Sequence, residues 1–212
     1  MRFADRAAAG RELAARLGHL AGPDLVVLAL PRGGFPVAAE VARELGAPLD
    51  VVLVRKLGVP FQPELAMGAV GEGGVLVRNE SIVRWARVRE PEIAAAAREA
   101  QAEIERRAHR FRPGRGPLPL IGRTVLLVDD GVATGATARA ACRVVRARGA
   151  ARVVLAAPVC APDTAATLGR EVDELVCLET PETFFGVGGW YDDFAQVPDD
   201  VAAELLRRGA PA

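Results

Sequence analysis

The chain of 212 residues is poor in several residue types on which enzyme chemistry often depends. It contains one serine, Ser81, and two histidines, His19 and His109, which lie far apart in the sequence. Ser81 lacks the flanking glycines that form the nucleophile elbow of a hydrolase. The scarcity of serine and histidine therefore disfavours a serine hydrolase, a histidine-based triad and a histidine-rich zinc site.

Cysteine and long apolar runs are also scarce. Cys142, Cys160 and Cys177 lie apart in apolar stretches, which indicates buried thiols in a reducing compartment. No apolar run approaches the roughly 20 residues that span a bilayer, and the first residues lack the apolar stretch of a secretory signal. Lys+Arg and Asp+Glu both number 27, so the formal net charge is +0 and disfavours a nucleic-acid partner. We expect a cytoplasmic protein without a membrane partner.

Apolar runs of strand length alternate with helical patterns along most of the chain. The continuous runs at 25–30 and 125–128 are typical of parallel strands that are buried on both faces. This alternation predicts an α/β fold with a central parallel sheet flanked by helices. We expect one domain over 1–212 with its core at about 22–180 and with an inserted amphipathic helix at about 91–111.

Lys56 is the only lysine of the chain and follows a predicted strand at 51–54. A single lysine among arginines indicates a site that needs a compact ammonium group, because the two side chains are not interchangeable. The alternative is that this lysine has been retained by chance. The next segment, 58–74, is rich in glycine and proline and predicts a mobile loop around a short strand at 66–70.

The strongest chemical signal is the segment 125–137, Val-Leu-Leu-Val-Asp-Asp-Gly-Val-Ala-Thr-Gly-Ala-Thr. Amide N–H groups at the predicted helix start, with the hydroxyls of Thr134 and Thr137, form a cradle for an anion. Asp129 and Asp130 can accept hydrogen bonds from vicinal hydroxyls or hold a hydrated cation. A phosphate close to a diol describes a ribose phosphate. An ordinary strand, turn and capped helix is the alternative, whereas a P-loop NTPase is disfavoured because the chain has no Gly-Lys pair.

Two further clusters contain residue types that suit ligand binding. Arg32, Gly33 and Gly34 follow the strand at 25–30, where the guanidinium offers a planar fork for phosphate oxygens and the glycines expose amides. Aromatic residues make up 5% of the chain, yet five of them lie within 184–194. Such a cluster suits stacking against a flat ring, and a hydrophobic cover over the sheet edge is the alternative.

Residues 125–137 match throughout the phosphoribosyl diphosphate (PRPP) motif of the type I phosphoribosyltransferases, a motif shared with PRPP synthetases and some regulatory proteins. The chain resembles that family over about 22–200. It is similar to an uncharacterised bacterial branch through the phrases Leu-Pro-Arg-Gly-Gly, Val-Arg-Lys-Leu-Gly and Trp-Tyr-x-Asp-Phe. The resemblance implies a type I phosphoribosyltransferase-like fold with a small C-terminal hood at about 181–197.

The resemblance also implies roles for individual residues. Asp129 and Asp130 would bind the ribose hydroxyls and form the catalytic set with Lys56, and Asp129 would contact a metal ion. The other implied contacts are Ala133, Thr134, Gly135, Ala136 and Thr137 with the 5-phosphate, Arg32, Gly33, Gly34 and Lys56 with the diphosphate, and Phe185, Val187, Trp190 and Asp192 with a base. The segment 58–74 resembles the loop that closes over PRPP. Ala133 stands where 6-oxopurine enzymes carry an aspartate, which disfavours that acceptor class.

The function implied is a Mg²⁺-dependent phosphoribosyltransferase that passes the 5-phosphoribosyl group of PRPP to a nitrogen nucleophile, a nucleobase, and releases diphosphate. The expected partners are PRPP, a small-molecule acceptor and a second copy of the chain. One alternative is a PRPP- or nucleotide-sensing regulatory protein with the same fold and little or no catalysis. Its only support as an RNA binder is the basic stretch 106–115, which also suits the C-terminal end of a helix. Another alternative is an interaction module with a vestigial pocket.

Overall fold

The computed structural model contains two β-sheets. It describes residues 2–209, so both ends of the predicted 1–212 domain lie outside the described residues. The strands of the described residues are β1 (Leu25–Ala29), β2 (Leu49–Val51), β3 (Val54–Val59), β4 (Gln62–Gly71), β5 (Val75–Arg78), β6 (Thr124–Val128), β7 (Arg152–Val159) and β8 (Glu174–Glu179). A parallel sheet has the order β2-β1-β6-β7-β8, and an antiparallel sheet has the order β3-β4-β5. The predicted central parallel sheet is confirmed.

α-Helices pack against both sheets. Those of the described residues are α1 (Arg6–Leu17), α2 (Gly34–Leu45), α3 (Glu80–Ala86), α4 (Glu90–Phe111), α5 (Ala136–Ala147), α6 (Pro162–Leu168) and α7 (Asp199–Arg208). The long helix predicted at 91–111 is α4, which buries Ile93, Ala100, Ile104 and Phe111 along one face. The short α3, capped by the Asn79 side chain, was not predicted.

The two central strands end at the same edge of the parallel sheet. β1 pairs with β6 from Leu25 opposite Thr124 to Ala29 opposite Val128. All five residues of β1 are buried, as their continuous apolar run predicts. The segments that follow these strands therefore emerge side by side at the carboxyl edge, where ligands bind in sheets of this type.

The antiparallel sheet corrects two predictions. The strand predicted at 51–54 is two strands, because β2 ends at Val51 in one sheet and β3 begins at Val54 in the other. The segment 58–74, predicted to be a loop with a strand at 66–70, is mostly the second arm of a β-hairpin. Gly68 serves close contact between strands, since a Cβ there would lie 2.5 Å from the Val77 carbonyl oxygen.

A buried ionic cluster joins the end of α4 to both sheets. Arg112, with its side chain 1% exposed, donates from Nη2 to Glu72 Oε1 at 2.6 Å. Its Nε lies 2.9 Å from Asp50 Oδ1, an ionic contact without hydrogen-bond alignment. Asp50 Oδ2 also accepts from the Leu118 amide at 2.9 Å. The cluster therefore fixes the inserted helix against the strand β2 and the turn after β4.

Cys142 and Cys160 are buried, Cys177 is half-buried, and all three are free thiols. No helix within residues 2–209 has the length and apolar character needed to cross a membrane.

Replacing Arg112 by Met should lower the free energy of unfolding by about 3–5 kcal/mol, because Glu72 loses its buried cation. The control Arg55→Met removes an ion pair with Glu103 in which the arginine is 53% exposed, and should cost less than about 1 kcal/mol. Urea unfolding monitored by circular dichroism measures both. Equal losses would contradict a cluster that anchors α4.

Candidate functional site

The turn after β1 lies against the acidic pair after β6. A Cβ on Gly34 would lie 2.6 Å from the carbonyl oxygen of Val128, and a Cβ on Gly33 would collide with the Asp130 carboxylate. Both glycines are therefore required by close approach rather than by turn formation alone. The peptide bond between Pro31 and Arg32 is cis. The geometry brings the predicted diphosphate turn and the predicted ribose-binding acids to one place.

The loop between β6 and α5 forms a small cavity of about 130 Å³. Its lining consists of Asp129, Gly131, Val132, Ala133, Thr134, Gly135, Ala136, Thr137 and Ala138. Gly135 has φ of +71° immediately before α5, a backbone conformation that glycine adopts readily. The first amides of α5 lack partners within the helix and carry its positive dipole end, so the cavity suits an anion.

Neighbouring segments hold the predicted phosphate-binding loop, residues 131–135 and called the phosphate loop below, in place. The Val132 amide donates to the Val159 carbonyl at 2.9 Å, and the Ala161 amide donates to Val132 at 2.9 Å. The Thr164 hydroxyl donates to the Ala133 carbonyl at 2.7 Å. The cradle is therefore held by the last residue of β7 and by residues that follow it.

The two acids of the motif have different surroundings. Asp130 is 9% exposed, and its Oδ2 accepts from Arg6 Nε at 2.7 Å. Asp129 is half-buried, lines the phosphate-loop cavity and accepts from the Asp130 amide at 2.9 Å. Burial, followed by the negative charge of Asp130, raises the pKa of Asp129 well above its usual value of 3.8. Asp129 is thus the acid that meets the cavity.

Sequence reasoning missed Arg6 and Tyr191. Arg6 also donates to the Ala195 carbonyl at 2.8 Å, and the Tyr191 hydroxyl donates to the backbone carbonyl of Asp130 at 2.6 Å. One signal was available, because Arg6 precedes Ala9 and Leu13 on the buried face of α1. A charged residue on an apolar face needs a partner, and here the partner is 124 residues away.

The hood is joined to the beginning of the chain. The Phe3 amide donates to the Trp190 carbonyl at 2.8 Å, and the Asp192 amide donates to the Phe3 carbonyl at 2.9 Å. The rings of Phe3 and Tyr191 are both buried, with their centroids 5.5 Å apart. The aromatic cluster therefore has a packing role that the sequence left as an alternative.

The four predicted base contacts lie in different environments. Val187 lies against Gly131 of the phosphate loop, where a Cβ would collide with the valine methyl groups. Phe185 is 98% exposed, and Trp190 packs partly buried beside Phe3 and Tyr191. Asp192 forms an exposed ion pair with Arg2 at 3.2 Å. Of the four, Val187 is the residue that the structure places against the phosphate loop.

The side chains of Arg32 and Lys56, which the resemblance assigns together to the diphosphate, contact different acids. Arg32 Nη1 lies 3.2 Å from Asp199 Oδ1 at the start of α7. Lys56 lies within β3, with Nζ 3.2 Å from Glu64 Oε2, in a cavity of about 450 Å³ between the antiparallel sheet and α5. The difference arises because β3 leaves the parallel sheet. The Lys56 cavity still borders Ala136, the first residue of α5.

A parallel sheet with an acid and an anion cradle at its carboxyl edge defines a class of α/β proteins that bind phosphorylated ligands. The family described as the phosphoribosyl transferase domain matches residues 4–193. The chain belongs to the type I phosphoribosyltransferase family, which confirms the family and fold class predicted from the sequence.

Two proteins of Mycobacterium tuberculosis, from strains CDC 1551 / Oshkosh and ATCC 25618 / H37Rv, are similar to this chain and are provisionally named phosphoribosyl transferases. Each is 55% identical over 206 residues, which cover 97% of this chain and 46% of the relative. The chain thus spans about half the length of these curated relatives. The crystal structure of TT1426 from Thermus thermophilus is 45% identical, with a TM-score of 0.93 and full coverage of both chains.

Replacing Asp129 by Asn should raise the free energy of unfolding of the ligand-free protein at neutral pH, because a carboxyl with a raised folded-state pKa is costly to keep ionised. The gain should be full above that raised pKa and should disappear as the pH falls to the ordinary value of 3.8, where the native carboxyl is increasingly protonated in both states. Thermal unfolding in a chelator between about pH 4 and pH 8 measures the difference. A gain independent of pH would contradict this assignment.

Replacing Asp130 by Asn should have the opposite effect on stability and cost about 3–5 kcal/mol, because Arg6 loses its buried anion. The double variant Arg6→Met/Asp130→Asn should lose less than the sum of the single losses, since the residues are direct partners. Urea unfolding of the four proteins provides this cycle. Additive losses would show that the pair is not coupled.

Proposed function

We propose that the protein transfers the 5-phosphoribosyl group of PRPP to a nitrogen nucleophile, a nucleobase, and releases diphosphate. The observation that carries this proposal is the placement of Asp129 beside the phosphate-loop cavity at the carboxyl end of β6. The turn 31–34 lies against the same strand end through Gly34. Family membership over residues 4–193 supports the same reaction class.

The phosphate loop and its neighbours provide a separate contact for each part of the donor. The first amides of α5, with the hydroxyls of Thr134 and Thr137, would hold the 5-phosphate. Asp129 would accept hydrogen bonds from the ribose hydroxyls, as a carboxylate readily does. The backbone of the turn 31–34 would face the diphosphate, with Gly33 and Gly34 allowing close approach.

The residues present fit Mg²⁺ as a cofactor. Asp129 lines the cavity, and Mg²⁺ in proteins is commonly held by one or two carboxylates together with substrate phosphates and water. When bound, the ion would neutralise charge on the diphosphate as it leaves. Asp130 is committed to Arg6, so Asp129 is the acid of the pair available to the ion.

In the proposed reaction the acceptor nitrogen forms a bond to ribose C1 while the bond between C1 and the diphosphate oxygen breaks. The bonding electron pair leaves with the diphosphate, and the proton of the acceptor N–H is released to solvent. The ribose ring carries positive charge in the transition state. The task of the protein is then to position both substrates, to stabilise the leaving diphosphate and to exclude water. None of these tasks requires a covalent intermediate with a side chain.

The β3–β4 hairpin is proposed to supply Lys56 to the bound donor. The Lys56 ammonium pairs with Glu64 of the same hairpin, whose side chain is 95% exposed, so this pairing leaves it exchangeable. Its cavity borders Ala136 of the phosphate loop's helix. For the acceptor, Val187 beside Gly131 indicates a position between the hood and the phosphate loop. The Phe185 ring is 98% exposed and so is accessible for stacking on a base.

The test incubates the protein with PRPP, Mg²⁺ and each of a panel of nucleobases, and measures diphosphate and nucleotide formation. We expect diphosphate release that depends on one class of base and falls about 100-fold or more in Asp129→Asn, the scale of a lost charged contact in the transition state. The exposed Asp24→Asn is the matched control and should retain activity.

PRPP binding without nucleotide formation from any base would contradict the transferase assignment and favour a PRPP-sensing protein. Failure of PRPP with Mg²⁺ to raise the melting temperature would contradict donor binding itself.

A further inference from the structure

We propose that Thr164 is a positioning residue that orients the amide of Thr134 toward the 5-phosphate of the donor. This inference rests on the proposed function and extends it to α6, a helix outside the phosphate loop. Thr164 acts through the backbone of the loop, because its hydroxyl donates to the Ala133 carbonyl. It does not touch the ligand itself.

The beginning of α6 holds two consecutive carbonyl groups of the phosphate loop. The Val132 carbonyl accepts from the Ala161 amide at 2.9 Å, and the Ala133 carbonyl accepts from the Thr164 hydroxyl at 2.7 Å. Ala161 immediately precedes α6 and Thr164 lies in its first turn, so a single helix turn supplies both donors. Both carbonyls therefore face α6.

The direction of these carbonyls determines the direction of the amides that follow them. The peptide bonds 132–133 and 133–134 are trans. In a planar trans peptide unit the N–H points opposite to the C=O. The amides of Ala133 and Thr134 consequently point away from α6. Two successive N–H groups that point to one side of a turn form a concave site for an anion.

The phosphate-loop cavity is formed by the loop and by the start of α5. Ala133 and Thr134 both line it, and its lining residues all lie within 129–138, so α6 contacts the loop from outside the cavity. Thr164 makes a second, apolar contact there, because a Cβ on Gly135 would lie 2.7 Å from the Thr164 methyl carbon. The hydroxyl and the methyl group can be removed separately.

The two amides depend on α6 in different ways. The peptide unit that carries the Ala133 amide is held by a backbone donor, the Ala161 N–H, which no side-chain substitution removes. The unit that carries the Thr134 amide is held by a side chain. Thr164 is half-buried, and a hydrogen bond of this kind adds only modestly to the stability of a fold. The loss of the hydroxyl should therefore affect the direction of one amide more than the stability of the protein.

The experiment follows both amides by NMR of ¹H–¹⁵N pairs in the whole chain during a titration with inorganic phosphate. Thr164→Val removes the hydroxyl and keeps the volume of the side chain, so a water molecule does not take its place. Thr164→Ser keeps the hydroxyl and removes the methyl group beside Gly135. Thr167→Val is the matched control, because the Thr167 hydroxyl donates to the Asp163 carbonyl within α6 at 2.8 Å.

In the native protein, phosphate should shift the signals of both amides, because each donates to the anion. In Thr164→Val we expect the shift of the Thr134 amide to be largely lost and that of the Ala133 amide to remain. Phosphate affinity should fall about threefold to tenfold, the scale of one net hydrogen bond. Thr164→Ser and the control Thr167→Val should behave like the native protein.

A native shift of the Thr134 amide in Thr164→Val would overturn the inference and leave the proposed function intact. An equal loss at both amides, or an equal loss in Thr164→Ser, would also overturn it, because a general disturbance of the loop predicts those results. If Thr164→Val does not fold, Thr164→Ala must show the same selective loss. Native protein in which phosphate shifts neither amide would instead contradict the proposed function.

Discussion

The parallel pairing of β1 with β6 is the constraint on which the site depends. Because Ala29 lies opposite Val128, the turn at Gly33 and the acids after β6 leave the sheet at the same level. The close approach of Gly34 to the Val128 carbonyl follows from that register. A shift of the two strands would separate the turn from the phosphate loop without changing any residue of either.

Burial then makes two chemically identical side chains different. Asp129 and Asp130 are adjacent, and two carboxylates without a cation would repel each other in a partly buried position. Arg6 pairs with Asp130, whereas burial and then the negative charge of Asp130 make an ionised Asp129 costly, which appears as its raised pKa. A ligand that donates hydrogen bonds to Asp129 would stabilise the ionised carboxylate and so lower that cost. This gain would favour ligand binding.

The sequence could predict those parts of the site that are local in the chain. The strand, acid pair, phosphate loop and helix start lie within 125–137, and each piece has its own signature of apolar run, glycine and threonine. The change of sheet between β2 and β3 could not be found, because Val52 and Leu53 are as apolar as the strands beside them. That change of sheet also places Lys56 in the β3–β4 hairpin, where it pairs with Glu64, whereas Arg32 contacts Asp199.

Contacts between distant segments could not be predicted for a different reason. The position of Arg6 on the buried face of α1 indicates that it has a partner, but nothing local identifies Asp130, Phe194 or Ala195 as that partner. The hood illustrates the same limit, because its aromatic residues fit equally well a stacking surface and the packed cluster that Tyr191 forms with Phe3.

The backbone pairing of Phe3 with the segment at 190–192 has a consequence for synthesis on the ribosome. Phe3 and Arg6 are synthesised long before the residues at 190–195, so they lack their hood contacts until nearly the whole domain has been made. Contacts of such large separation close late and slowly. The proposed pocket for the sugar therefore takes its final shape only near the end of translation of this domain.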